Sequence, residues 1–177
     1  MKRTVNYIVC LGLIIGVGFG FSGMFIKDPT LQVGWYEISS VGLIVALTML
    51  ALHFFRKEQE LLAAGFMIFA IGEGLMTVGA AGDLGMSVAS FGAGMALYPP
   101  ALWLIVAEKE MPFWTRLTGL AASIPFAISA VKIFGGQVIT SADPVVGAAY
   151  GLLTLTIIGW VIHFWPRRAV ATEQAVA

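Results

Sequence analysis

Six apolar runs, separated by short polar breaks, fill the chain from about residue 5 to residue 165. Each run is close to the roughly 20 residues that carry a helix across the ~30 Å hydrocarbon core of a bilayer. The pattern predicts an all-α fold, a polytopic membrane bundle of six transmembrane helices. The runs place them at about 5–26, 36–55, 61–81, 86–107, 114–135 and 145–165. The breaks are too short to hold a soluble domain. One membrane domain over 1–168 is expected, with a short tail at 169–177. Lys2 and Arg3 ahead of the first run resemble the start of a signal peptide. That run is too long for a signal core and no small-x-small site closes it, so a retained helix is expected.

Charge sets an orientation. The odd-numbered connections carry Lys27-Asp28, Asp83 and Asp143. The even-numbered ones carry Arg56-Lys57, then Lys109 and Arg116, and Arg167-Arg168 follow the last helix. Counting Lys2 and Arg3, eight of the ten basic residues fall on one side. Basic residues collect on the cytoplasmic side of a membrane, which predicts that both termini are cytoplasmic. Trp35 and Tyr36 then stand at the outer start of helix 2. Tyr7, Trp103, Trp114 and Trp165 mark the inner boundary, the headgroup level where indole and phenol rings are half wet.

Composition agrees. The chain is 59% hydrophobic and 11% charged, against about a quarter charged in soluble domains, and its mean hydropathy is +0.91. Basic and acidic residues balance at ten each, which argues against a nucleic-acid partner. The one cysteine, Cys10, excludes an internal disulfide, and no Cys/His set has zinc spacing. The expected setting is the cytoplasmic (inner) membrane of a bacterium, with lipids as neighbours.

The helices pair into three hairpins with short outer turns. The even-numbered ones share a loose frame: Ser39-Ser40-Val41-Gly42, Ala89-Ser90-Phe91-Gly92 and Pro144-Val145-Val146-Gly147, their glycines 50 and 55 residues apart. Such a frame suggests a triplicated hairpin. In layout the chain is similar to the HdeD-like bacterial membrane proteins, also six helices in three hairpins. The resemblance is one of topology and implies that topology alone.

Glycine is the expected packing device. Gly12, Gly16 and Gly20 lie on one face of helix 1, where missing side chains let another backbone approach. Helix 3 repeats the device with Gly65, Gly72 and Gly79, helix 5 with Gly119, Ser123 and Ala127, and helix 6 with Gly147 and Gly151. The helix 1 stripe serves either a contact within the chain or a homo-oligomer.

Candidate chemistry centres on Glu73, well inside helix 3 between Gly72 and Gly74. An ionised carboxylate at such depth costs at least a few kcal/mol, so it is expected to face a cavity or a partner. Lys132, near the outer end of helix 5, either reaches inward to Glu73 or Asp83 or snorkels outward. Pro99 and Pro100 remove two backbone donors from helix 4 and predict a kink. Pro125 predicts another in helix 5. Tyr98 supplies a hydroxyl at a depth similar to Glu73. Glu73, Thr77, Tyr98, Ser129 and Lys132 are therefore expected to form a polar pocket in the outer half of the bundle. His53 and His163 end helices 2 and 6 at matched depth, as an axial haem pair would. Their aromatic, basic surroundings equally suit a membrane boundary. Asp143-Pro144 reads as a helix cap followed by proline at the first helical position.

No serine-hydrolase elbow, zincin pair or phosphate-binding loop occurs, and no metal or cofactor is expected. The leading expectation is non-enzymatic: a small integral membrane protein that binds an apolar or amphipathic ligand, or a membrane partner, with Glu73 as its anchor. A small proton-coupled transporter that protonates at Glu73 is the second reading, and an intramembrane enzyme or haem protein the third. The charge pattern yields a direct test. A topology reporter fused after Ala177 or placed in the 108–113 loop should read cytoplasmic, and a tag near residue 83 should be labelled from outside. A periplasmic signal at the C-terminus would reverse the orientation.

Overall fold

The computed structural model describes residues 3–81, 84–137, 139 and 143–166. Lys2, Asp83, Arg167, Arg168 and the tail 169–177 lie outside them, as do the surroundings of Gly79. Among the described residues the chain is all-helical. Its elements are α1 (Arg3–Gly23), α2 (Pro29–Phe55), α3 (Glu60–Ala81), α4 (Leu84–Ala107), α5 (Phe113–Phe134) and α6 (Pro144–Phe164). All six are long and apolar enough to cross a membrane.

Five helices lie within a few residues of the expected bounds, but α2 begins seven residues earlier than its apolar run. The cause is local. Asp28 caps the helix, its Oδ1 accepting from the Leu31 N–H at 2.9 Å, and Pro29 occupies the first turn. Asp143 and Pro144 open α6 in the same way, with Oδ1 accepting from the Val145 N–H at 2.9 Å. A side-chain oxygen at this position satisfies one of the N–H groups that a helix start leaves unpaired. The first Asp-Pro pair sits in a polar stretch and reads as loop. Its consequence is a 27-residue helix, about 40 Å long at 1.5 Å per residue. Trp35 and Tyr36 therefore lie two turns inside α2 rather than at its start. The expected proline kinks do not break their helices: α4 runs through Pro99 and Pro100 and α5 through Pro125.

The helices form a closed ring in which each packs on its chain neighbours and α1 meets α6. Close approach at the seams comes from glycine. A Cβ on Gly12 would fall 2.6 Å from the Gly42 carbonyl oxygen, and one on Gly16 only 2.4 Å from Leu43. Gly94 faces the Gly72 carbonyl oxygen at 2.8 Å in the same sense, and Gly65 faces that of Ala101 at 2.9 Å. The helix 1 stripe is thus packed against α2 of the same chain. Gly147 and Gly151, expected to pack, have nothing within 4 Å; in α6 it is Gly159 that lies against Thr115 and Trp114.

Side-chain hydrogen bonds cross every seam. Ser39 donates to the Gly16 carbonyl at 2.7 Å, joining α2 to α1. Trp103 Nε1 donates to Ser123 Oγ at 2.9 Å, joining α4 to α5, and Thr156 to Thr118 at 2.9 Å, joining α6 to α5. Cys10 Sγ reaches the Val161 carbonyl at 3.8 Å between α1 and α6. The two remaining seams, α2–α3 and α3–α4, are both bridged by Glu73. Lipid provides no hydrophobic drive between helices, so close packing and such bonds carry the association.

Inside the ring, aromatic side chains fill one end. Phe164 meets Phe54, Phe54 stacks on Phe66, and Phe66 meets Trp160 edge-on at 5.2 Å. Trp160 leads through Phe69, Tyr98 and Phe126 to Tyr150. The outer surface is apolar as well, with Leu11, Val41, Ile124 and Val131 all more than half exposed, which suits lipid and not water. The glycine contacts give a matched test. Gly12→Ala should lower thermal stability in detergent, because the obstacle is a backbone oxygen that cannot move aside; overpacking of this kind costs about 1–3 kcal/mol. Gly18→Ala, where a Cβ meets nothing within 4 Å, should be neutral or stabilising. Equal behaviour of the two variants would contradict the α1–α2 contact.

Candidate functional site

Glu73 is 3% exposed, and its carboxyl is held from both sides. Ser40 Oγ of α2 donates to Oε2 at 2.9 Å, and the Tyr98 hydroxyl of α4 donates to Oε1. Thr77, one turn further along α3, donates to the Glu73 backbone carbonyl at 2.9 Å. The geometry follows from the ring. Gly72 packs against the Tyr98 ring, so α3 and α4 lie close enough at this level for the phenol to reach the next residue. Phe69 and Phe126 hold the same phenol ring edge-on, at 4.5 and 4.6 Å.

Glu73 also lines a cavity of about 120 Å³. A single water needs only ~10–15 Å³ on this measure, so the space suits a small molecule. Its walls come from the C-terminal halves of α1 and α3 and the N-terminal halves of α2, α4 and α6; α5 contributes none. On α1 it extends from Gly16 to the helix end, with Met24 just beyond it, about 10 Å of helix at 1.5 Å per residue. The lining is predominantly aliphatic and aromatic, and among the described residues its only charged groups are Glu73 and Glu37. A groove on the outer surface between α1 and α6 shares Val17, Phe21 and Thr154 with the cavity. Those three side chains are the partition between the cavity and the space outside the ring.

The expected pocket is thus assembled in part. Glu73, Thr77 and Tyr98 come together. Ser129 and Lys132 do not join them, because they sit on α5, which is turned away from the cavity. Ser129 is fully buried and its Oγ has no partner among the described residues. Lys132 Nζ lies 3.5 Å from Asp143 Oδ2, pairing with the cap of α6 rather than with Glu73. His53 and His163 are half-buried, each edge-on to its own neighbour, Phe54 and Phe164. The ring interior at that level is filled by Phe54, Phe66, Trp160 and Phe164. Among the described residues no three His, Cys, Asp or Glu side chains gather as metal ligands.

Four lining or contact residues escaped the sequence reading. Ser40 stood out only as part of a repeated frame, yet it is a direct partner of Glu73. Glu37 was not singled out; it lies on the cavity wall, one turn from Ser40 on the same face of α2. Tyr36 and Tyr150 line the cavity too, and the Tyr150 hydroxyl has the Met76 sulfur at 3.7 Å as an acceptor. The spacing of three between Glu37 and Ser40 was the available signal. It becomes legible only once Glu73 is known to face α2.

The chain matches no family model, no curated protein and no solved structure.

The pair of hydrogen bonds at Glu73 generates a stability prediction. Tyr98→Phe leaves Oε1 without its donor and should cost about 1–3 kcal/mol, read as a lower unfolding midpoint. In a Glu73→Leu background the same change should cost much less, since the group to be satisfied is gone. Additive losses would mean that the phenol acts through packing alone.

Proposed function

We propose that this is an integral membrane protein of a bacterial-type cytoplasmic membrane that binds an apolar or amphipathic ligand in the Glu73 cavity without carrying out a reaction. Its helices form three hairpins, with both termini in the cytoplasm. Support for the orientation comes from the ring. Arg3, Arg56, Lys57, Lys109 and Arg116 belong to the end filled by aromatic rings, where Lys57 pairs with Glu110 at 3.5 Å and Asn6 donates to the Phe164 carbonyl. The cavity occupies the opposite half, which the positive-inside rule turns outward.

One observation carries the reading: a fully buried carboxyl, oriented by donors on two other helices, on the wall of an otherwise apolar cavity. Ligand sites have this composition, a mostly apolar wall with a few placed polar groups. A residue serving only to join helices needs no such space beside it. The groove between α1 and α6 suits a ligand drawn from the bilayer, since it brings the lipid-facing surface within one layer of side chains of the cavity.

A second reading, a small proton-coupled carrier, is favoured by the position of Tyr98. This residue holds Glu73 and immediately precedes Pro99-Pro100, where α4 lacks two backbone donors and is easier to bend. Passage of a probe across proteoliposomes would select this reading over binding alone.

The test compares wild type with Glu73→Gln and Leu153→Trp, the second chosen to fill the cavity. Native mass spectrometry from mild detergent should find a small apolar molecule retained by the wild type, reduced in Glu73→Gln and absent in Leu153→Trp, with all three folded. Equal retention by the three proteins would place any bound molecule elsewhere and remove the proposal.

A further inference from the structure

Among the described residues, the cavity is lined by two carboxyl groups and no basic side chain to answer them. Glu73 is buried at its floor, and its donors, Ser40 and Tyr98, are both neutral groups. Glu37 stands on the wall of α2, one turn nearer the helix start than Ser40, a rise of about 4.5 Å. Among the described residues it has no hydrogen-bond or ion-pair partner. The nearest candidates for compensation are engaged or absent from the wall: Lys132 pairs with Asp143, and Lys27 is exposed and does not line the cavity. A carboxylate removed from water with no counter-charge is strongly unfavourable. Positive charge must therefore come from outside the chain, or the floor carboxyl must keep its proton.

The walls show what kind of cation fits. Val17, Leu43, Met76, Phe91, Leu153 and Ile157 present hydrocarbon and thioether surface. The rings of Tyr36 and Tyr150 also line the space, and aromatic faces attract cations. A bare metal ion needs six or more oxygen ligands if it is calcium or magnesium, and among the described residues no such set of side chains is gathered here. An ammonium group on an apolar body satisfies both halves of the site.

Building on the cavity reading above, we propose that the ligand is an amphipathic organic amine, bound as its cation. Its ammonium group sits between Glu37 and Glu73, and its hydrocarbon part lies against the aliphatic wall. Glu37 is the outer contact and Glu73 the inner one. Ser40 and Tyr98 are positioning residues that hold the inner carboxyl.

The experiment uses the full chain in nanodiscs of zwitterionic lipid and three probes with one chain length: n-hexylamine, n-hexanol and hexanoate. Empty nanodiscs give the partition background. Hexylamine should bind about tenfold tighter than hexanol, the worth of one charge-assisted hydrogen bond, and hexanoate should bind most weakly. Glu37→Gln and Glu73→Gln should each reduce the amine preference, and the double variant should abolish it while leaving hexanol binding intact. That retained hexanol binding also shows that the variants fold. Sodium chloride at matched concentration should not displace the amine. Equal binding of amine and alcohol, with both lost in Leu153→Trp, would overturn the amine inference and keep the cavity reading. No binding of any probe above background would overturn both. An amine preference that survives the double variant, or full displacement by sodium, would also overturn the inference.

Discussion

The carboxyl of Glu73 joins three helices by hydrogen bonds. One oxygen takes a hydrogen bond from α2 and the other from α4, while α3 supplies the residue itself. In lipid there is no water to satisfy a polar group that loses its partner. The rotation of α2 and α4 about their axes is therefore constrained by this residue. The neighbouring glycines make the arrangement possible. Gly72 and Gly94 let α3 and α4 approach until backbone meets backbone, which brings the phenol within reach.

From that point the two ends of the ring diverge. Towards one end the interior is solid, because a chain of phenyl and indole rings fills the space that six helices leave between them. Towards the other, residues of α1, α2 and α6 leave a void. Glu73 sits where the two regimes meet, with the Tyr98 ring of the packed part on one side and the cavity on the other. A polar group at the boundary between packed and open volume is available to a ligand while remaining supported from behind. Rigid support from neighbouring elements is what a binding group needs to keep its geometry.

The seams obey one physical rule with different residues. Glycine gives close approach at α1–α2 and α3–α4, and hydroxyls or a carboxyl supply a hydrogen bond across nearly every contact. At the α1–α6 seam the bonds run to backbone carbonyls, from Asn6 Nδ2 to Phe164 at 3.1 Å and from Cys10 Sγ to Val161 at 3.8 Å, and a Cβ on Gly18, Gly147 or Gly151 would meet nothing within 4 Å. It is also the seam that separates the cavity from the outer groove.

The number of helices, their apolar character and most of their ends were legible in the sequence, because span length and hydropathy are local properties set by bilayer thickness. Glu73 was legible for the same reason: one ionisable residue in an apolar run stands out by its cost alone. The start of α2 was legible in principle, since Asp28-Pro29 carries the same cap chemistry as Asp143-Pro144, but hydropathy masked it. What only the tertiary structure decided was facing. A helix that is apolar all round gives no sign of which side meets lipid and which meets its neighbours, so Ser40 could not be matched to Glu73, nor Ser129 and Lys132 removed from it. Likewise Gly12 and Gly147 look alike as residues in a small-residue stripe. Only the rotation of α1 and α6 within the ring puts one against a backbone and leaves the other open.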